Sequence, residues 1–133
     1  MIPSREELVE AYGFFARRMK LEVRAEEKRA QGLPIGPLEA RTRAIDAALR
    51  AAHDLVESGG DEISAVLYGF ASHPRCFPLA VYAFTTLIAK NVATSNGKKL
   101  SASVDEFKAL IAAVMERRCG IDEVRHWVES HAH

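Results

Sequence analysis

The stretch Pro78-Leu-Ala-Val-Tyr-Ala-Phe-Thr-Thr-Leu-Ile-Ala-Lys-Asn-Val-Ala93 decides the fold that the sequence predicts. No charged residue occurs between Phe77 and Ala89, and apolar side chains fall on every side of a helical wheel. A helix that is apolar all round is buried on most of its faces. The stretch is also shorter than the roughly 20 apolar residues of a membrane span. It is therefore predicted to be a central core helix that other helices surround.

Apolar residues recur at helical spacing in five further segments, on both sides of this stretch. The predicted helix starts are Ser4, Pro37, Asp61, Ser103 and Asp122. The pairs Ser4 with Glu7 and Ser103 with Glu106 have the spacing of capping boxes. No segment alternates apolar and polar residues as a strand does. The sequence therefore predicts an all-α protein, a compact bundle of about six helices around the central apolar helix 78–93.

The first of these helices is expected to be long. Its apolar stripe includes Leu8, Tyr12, Met19 and Val23, and Gly32 is placed to end it with a left-handed cap. The residues after Met19 are mostly charged but are good helix formers, so the helix is predicted to continue. We expect one domain over residues 1–133, with the end of this helix, about 21–31, projecting from the core.

The composition is that of an ordinary globular domain, with 48% hydrophobic and 27% charged residues. Lys plus Arg and Asp plus Glu number 18 each, so the field of the whole protein favours neither nucleic acid nor a membrane surface. Cys76 and Cys119 fit no metal or redox spacing, and the first residues lack the apolar run of a secretory signal. A cytoplasmic, reducing setting is expected, without membrane association.

Two patterns resemble parts of metal sites. The neighbours His53 and Asp54 could supply two ligands of an all-α metal phosphohydrolase, but that chemistry needs an upstream His and His53 is the first in the chain. Glu22 and Glu26 have a helical spacing that could hold Mg²⁺, as in all-α nucleotide pyrophosphatases. The Lys and Arg residues around them favour surface ion pairs instead.

Other chemical motifs are missing from the sequence. His73 and Cys76 would give only two of the four ligands of a zinc site. No phosphate-binding loop, nucleophile elbow or dinucleotide fingerprint occurs. No catalytic residue, metal site or cofactor is therefore predicted. Trp127, the only tryptophan, is expected to anchor either the core or an interface.

Basic residues are the remaining candidates for a binding site. At about 100° per residue, Arg17, Arg24 and Lys28 fall on one line of the first helix, with Lys20 beside them. Basic residues also suit the C-terminal end of a helix dipole, so an ordinary solvated face is the alternative. The residues proposed to bind a partner or nucleic acid are Arg17, Lys20, Arg24, Lys28, Lys98 and Lys99.

Three functions remain open from the sequence. The first is a non-enzymatic helical interaction protein, a small subunit or adaptor that binds a protein partner or forms a homo-oligomer. The second is a nucleic-acid-binding helical module that uses the basic line. The third is a Mg²⁺-dependent all-α phosphohydrolase.

Overall fold

The computed structural model describes residues 1–133 and is all-α, as predicted. It contains seven α-helices and a short 3-10 helix at Pro74–Cys76. The α-helices are α1 (Arg5–Arg18), α2 (Leu21–Ala30), α3 (Thr42–Glu57), α4 (Glu62–Ala71), α5 (Val81–Ser95), α6 (Val104–Met115) and α7 (Ile121–His131). A single antiparallel bridge joins Leu100 and Ala132, and no strand is present.

The predicted capping boxes are confirmed. The Ser4 hydroxyl accepts from the Glu7 amide at 3.2 Å, and the Ser4 amide donates to the Glu7 carboxylate at 3.1 Å. Ser103 and Glu106 make the same reciprocal pair at the start of α6. Each box satisfies backbone donors that a helix start leaves free, which explains why these sequences begin helices.

The start of α7 differs from the prediction. Asp122 is not the N-cap, because Gly120 occupies that position and its amide donates to the Glu123 carboxylate at 2.9 Å. Asp122 lies in the first turn, where its charge still suits the positive end of the helix dipole. At α4 the prediction is correct, since the Asp61 carboxylate accepts from the Ser64 amide at 2.8 Å.

The central helix is α4, so the prediction that the 78–93 helix is central was wrong. Eight of the ten residues of α4 are buried, against six of the fifteen in α5. α4 contacts α3, α5, α6 and α7. Its small residues, among them Ala65, Gly69 and Ala71, allow other helices to approach closely. α5 instead leaves Leu87 38% exposed.

The contact between α3 and α4 is the closest of these approaches. A Cβ atom added to Gly69 would lie 2.9 Å from the carbonyl oxygen of Ala48 and 3.4 Å from the Cβ of Ala52. Both alanines are fully buried. The two helix backbones therefore meet at a point that only glycine fits on α4.

The predicted long first helix is two helices. Lys20 has left-handed backbone angles, φ 54° and ψ 48°, and the chain turns there between α1 and α2. Leu21 and Ala25 are buried, whereas Met19 and Val23 of the predicted stripe are 47% and 54% exposed. The segment 21–31 consequently packs against the protein through a different face and is not a straight extension of α1.

The helix predicted from Pro37 begins later, at Thr42. Arg41 has an extended conformation, and its amide donates to the carbonyl oxygen of Cys76 at 3.0 Å. The Arg29 side chain also donates to the carbonyl oxygens of Ile35 and Gly36. These hydrogen bonds hold residues 33–41 as a loop.

An aromatic cluster joins α1 to α4 and α5. Phe77 and Phe84 have ring centroids 4.5 Å apart, and Tyr12 lies 5.3 Å from Phe77 and 5.6 Å from Phe84. The Tyr12 hydroxyl donates to the carbonyl oxygen of Pro78 at 2.7 Å. Burial is the main cause that raises the pKa of Tyr12 to about 12, so the hydroxyl keeps its proton and remains a donor.

Gly69→Ala should destabilise the protein by about 1–3 kcal/mol, the typical cost of forcing an extra group into a packed core. Gly13→Ala is the matched control, because its new Cβ would meet only the Arg17 guanidinium at 3.7 Å. Alanine is also the better helix former, by up to about 1 kcal/mol. In urea denaturation, the free energy of unfolding should fall for Gly69→Ala and rise for Gly13→Ala. A neutral Gly69→Ala change would contradict the close contact.

Leu67→Ala should cost about 2–5 kcal/mol, because Leu67 is 1% exposed and truncation leaves a cavity. Leu87→Ala should cost about 1 kcal/mol or less, because much of that side chain already faces solvent. The two free energies of unfolding test which helix is central. A larger loss of unfolding free energy in Leu87→Ala than in Leu67→Ala would show that α5 is the central helix.

Candidate functional site

The turn at Lys20 divides the basic line that the sequence predicts. Arg17 and Lys20 line a groove of about 610 Å³ between α1, α2 and residues 38–40, the α1–α2 groove. Arg24 and Lys28 line a different cavity. A straight helix would have kept all of these residues on one surface, whereas the turn directs the two pairs to different sites.

Lys98 and Lys99 belong to neither site. They lie in the turn after α5, where the Lys98 amide donates to the carbonyl oxygen of Ala93 at 2.8 Å. The backbones of Lys99 and His133 exchange two hydrogen bonds of 2.9 Å. The conformation of this loop is thus explained by backbone contacts, and both lysine side chains are exposed.

The cavity that holds Arg24 and Lys28 also contains Lys108 of α6, and we call it the basic cavity. Its volume is about 650 Å³. Residues 79–83, Thr86 and Val104 complete the lining, which contains no carboxylate. Three cationic side chains from two helices therefore face one cavity.

These three cations have no partner within the chain. None of Arg24, Lys28 and Lys108 takes part in an ion pair. By contrast, Arg5 and Arg29 each pair with a carboxylate, at 3.2 and 2.8 Å. The basic cavity thus carries an excess of positive charge, which raises the local concentration of anions.

The start of α5 adds donors to the same cavity. Val81, Tyr82 and Ala83 form the first turn, and their amides find no backbone acceptor. The N-cap residue Ala80 has no side chain that could cap them. Such amides and the helix dipole attract negative charge, so they act in the same direction as the cations.

Leu79 shapes the wall of the basic cavity. Its φ of 60° is left-handed, a conformation that costs a residue with a side chain on the order of 1–2 kcal/mol. The hydrogen bond from Tyr12 to the neighbouring Pro78 carbonyl helps to hold this turn. The turn delays the start of α5 to Val81, although Pro78 was the predicted start.

Sequence reasoning identified two of the three cations. Arg24 and Lys28 were predicted to bind, but Lys108 was not singled out. The one feature of the sequence that could have indicated Lys108 is its position four residues after Val104, on the same face of α6. Val104 also lines the cavity. The contribution of the α5 start could not be found, because it depends on the left-handed turn at Leu79.

The acidic residues considered as metal ligands do not gather into one site. Glu26 pairs with Arg29, Glu22 lines the α1–α2 groove, and His53 and Asp54 are exposed on α3. No three His, Cys, Asp or Glu side chains come together in a way that could hold a metal ion.

His73 and Cys76 also have separate surroundings. The His73 Nδ1 atom lies 2.8 Å from the carbonyl oxygen of Gly69. Cys76 is buried, and burial raises the pKa of its thiol to about 12. The thiolate is the nucleophile and metal ligand in cysteine chemistry, so this thiol is unreactive at neutral pH.

His131 forms a second polar cluster, at the end of α7. Its Nδ1 lies 2.6 Å from the carbonyl oxygen of Trp127, and its Nε2 lies 3.1 Å from the Glu106 carboxylate. Only the doubly protonated ring can donate to both acceptors. The Trp127 carbonyl and then Glu106 accordingly raise the pKa of His131. Trp127 is half-buried and packs on Phe107 with ring centroids 5.1 Å apart, at the edge of the core.

Comparison with known proteins gives no relative for this chain. No protein-family model, no curated protein and no solved structure matches it. None of its helices combines the length and the apolar character needed to cross a bilayer. Within the molecule, the basic cavity is distinguished by three cations that the chain itself leaves without a counter-ion.

The His131 cluster predicts a pH dependence of stability. The folded-state pKa of His131 is raised above 6.5, so its contribution is fully present below that value and is lost as pH rises through the folded-state pKa. Glu106 has a lowered pKa, mainly through the Ser103 amide, so its contribution is lost only as pH falls through that lowered value. The free energy of unfolding of wild type should therefore exceed that of His131→Gln most clearly at pH values above the lowered pKa of Glu106 and below 6.5.

Urea denaturation across this pH range measures the difference between wild type and His131→Gln. His126→Gln is the control, because it removes an exposed imidazole from the same helix. A difference that stays constant from acid to alkaline pH would show that protonation of His131 contributes nothing to stability.

Proposed function

We propose that the chain is a non-enzymatic binding protein, a small subunit or adaptor, and that its basic cavity receives an anionic group of a protein partner. The observation that carries this proposal is the convergence of Arg24, Lys28 and Lys108 on one cavity without any carboxylate. Charge-assisted hydrogen bonds are about twice as strong as neutral ones. An acidic or phosphorylated side chain would supply the counter-charge that the chain lacks.

The apolar part of the lining supports a protein partner. Leu79 and Val104 line the cavity and are 36% and 70% exposed. Exposed apolar side chains beside polar groups are typical of interaction sites. A volume of about 650 Å³ also falls within the range of about 300–1,000 Å³ found for binding pockets. An anionic side chain with apolar neighbours would match both kinds of surface.

The division of the basic line argues against nucleic acid. Affinity for DNA or RNA grows with the number of phosphates that a protein neutralises along the strand. The six predicted basic residues lie in three separate places: the α1–α2 groove, the basic cavity and the turn after α5. No single cavity contains all six of them.

The non-enzymatic part of the proposal rests on where the carboxylates lie. Glu22 and Glu26 have different neighbours, and Asp54 is exposed on α3. A cytoplasmic setting belongs to the same proposal and is supported by the two free cysteines, Cys76 and Cys119.

The double variant Lys28→Gln with Lys108→Gln tests the cavity. The matched control is Lys98→Gln with Lys99→Gln, which removes the same charge from an exposed turn. The probes are short labelled peptides of alternating Glu and Leu, with and without phosphoserine, followed by fluorescence anisotropy. A hydrogen bond to a charged group contributes about 1.5–3 kcal/mol, so the cavity variant should bind at least about tenfold more weakly. The control should bind like wild type.

Two results would reject the proposal. Equal losses in the cavity variant and the control would mean that only net charge matters. If wild type bound neither peptide, the hypothesis of an acidic partner would be rejected. A single-stranded DNA oligonucleotide is the third probe, and tighter binding of DNA than of both peptides would favour the nucleic-acid alternative.

A further inference from the structure

The α1–α2 groove is a second surface without a partner in the chain. Its apolar lining includes Val9 and Ala16 of α1, Val23 of α2, and Leu38 of the following loop. Val9 and Val23 are 37% and 54% exposed, and Met19 at the turn between the helices is 47% exposed. Exposed apolar side chains that lie close together are one feature of interaction surfaces.

The charges of the groove are balanced, unlike those of the basic cavity. Arg17 and Lys20 are basic, and Glu22 and Glu39 are acidic. None of the four takes part in an ion pair within the chain. Because both signs are present, a two-fold axis that sets the cations of one copy opposite the carboxylates of another would make this surface complementary to a copy of itself.

Two copies of a chain can associate about a two-fold axis through a surface that carries charges of both signs. In an isologous interface the same patch is present on both subunits, so residue i of one contacts residue j of the other and the reverse. The basic cavity could not pair in this way, because its three cations would face three cations.

The left-handed turn at Lys20 shapes the surface beside the groove. Left-handed angles at a residue with a side chain are uncommon, and strained residues occur where the surrounding structure uses them. Here the turn buries Leu21 and leaves Met19 and Val23 facing outward. The turn that buries Leu21 therefore also leaves an exposed apolar corner beside the groove.

We propose that two copies of the chain associate through the α1–α2 groove. Val23 of each copy would enter the groove of the other, with Arg17 and Lys20 of one copy facing Glu22 and Glu39 of the second. This association is separate from the binding proposed for the basic cavity, since none of these residues lines that cavity.

Complementary charge reversals test the dimer. The acidic variant carries Arg17→Glu and Lys20→Glu, and the basic variant carries Glu22→Lys and Glu39→Lys. Each variant alone should be repelled by its own copy, whereas the two together should attract. Analytical ultracentrifugation should show a dimer for wild type, a dissociation constant raised at least tenfold for each variant alone, and a heterodimer for the equimolar mixture.

Val23→Lys provides a second disruption at an exposed position and should also give a monomer, with circular dichroism confirming that every variant is folded. A wild type that stays monomeric at all concentrations would overturn the proposal. So would charge variants that dimerise like wild type, because the dimer would then use another surface. The cavity variant Lys28→Gln with Lys108→Gln should still dimerise like wild type, which keeps this test distinct from that of the basic cavity.

Discussion

The close approach of α3 and α4 at Gly69 is the constraint on which the rest of the structure depends. The missing side chain lets the α4 backbone reach Ala48 and Ala52, and the same helix then offers its other faces to α5, α6 and α7. Close-packed interiors tolerate little change in volume, so a contact of this kind also fixes the distance between the helices. The position of α5, and through it one wall of the basic cavity, follows from packing on α4.

Two left-handed residues shape the surfaces that surround this core. Lys20 turns the chain between α1 and α2, and Leu79 turns it before α5. Neither is glycine, so each conformation costs energy that the surrounding contacts must offset. Tyr12 lines the α1–α2 groove together with Lys20, and its hydroxyl donates to the carbonyl oxygen of Pro78, the residue before Leu79. A buried aromatic residue thus connects the two surfaces to which we assign binding.

The two surfaces differ in their charges, and this difference separates their proposed partners. The basic cavity has three cations and no carboxylate, so only a partner with negative charge completes it. The α1–α2 groove has two cations and two carboxylates, so a second copy can complete it. The net charge of the whole chain is zero and conceals both features. Electrostatic complementarity contributes more to the choice of partner than to raw affinity, which is why we propose different partners for the two surfaces.

Features that depend on neighbouring residues can be predicted from the amino-acid sequence. The all-α class follows from helical periodicity, and the starts at Ser4, Asp61 and Ser103 follow from capping by side chains within three residues. The sequence also indicated Arg24 and Lys28 as binding residues, although it placed them on one line with Arg17.

Features that depend on contacts between distant residues appear only in the folded chain. The turn at Lys20 exists because Leu21 and Ala25 become buried there. No glycine or proline near Lys20 indicates this turn in the sequence. The choice of α4 over α5 as the central helix depends on Gly69 meeting α3, since both helices have apolar sequences. Lys108 joins Arg24 and Lys28 only when α2, α5 and α6 are brought together. Periodicity reports which side of a helix is apolar, but packing energy decides which neighbour covers it.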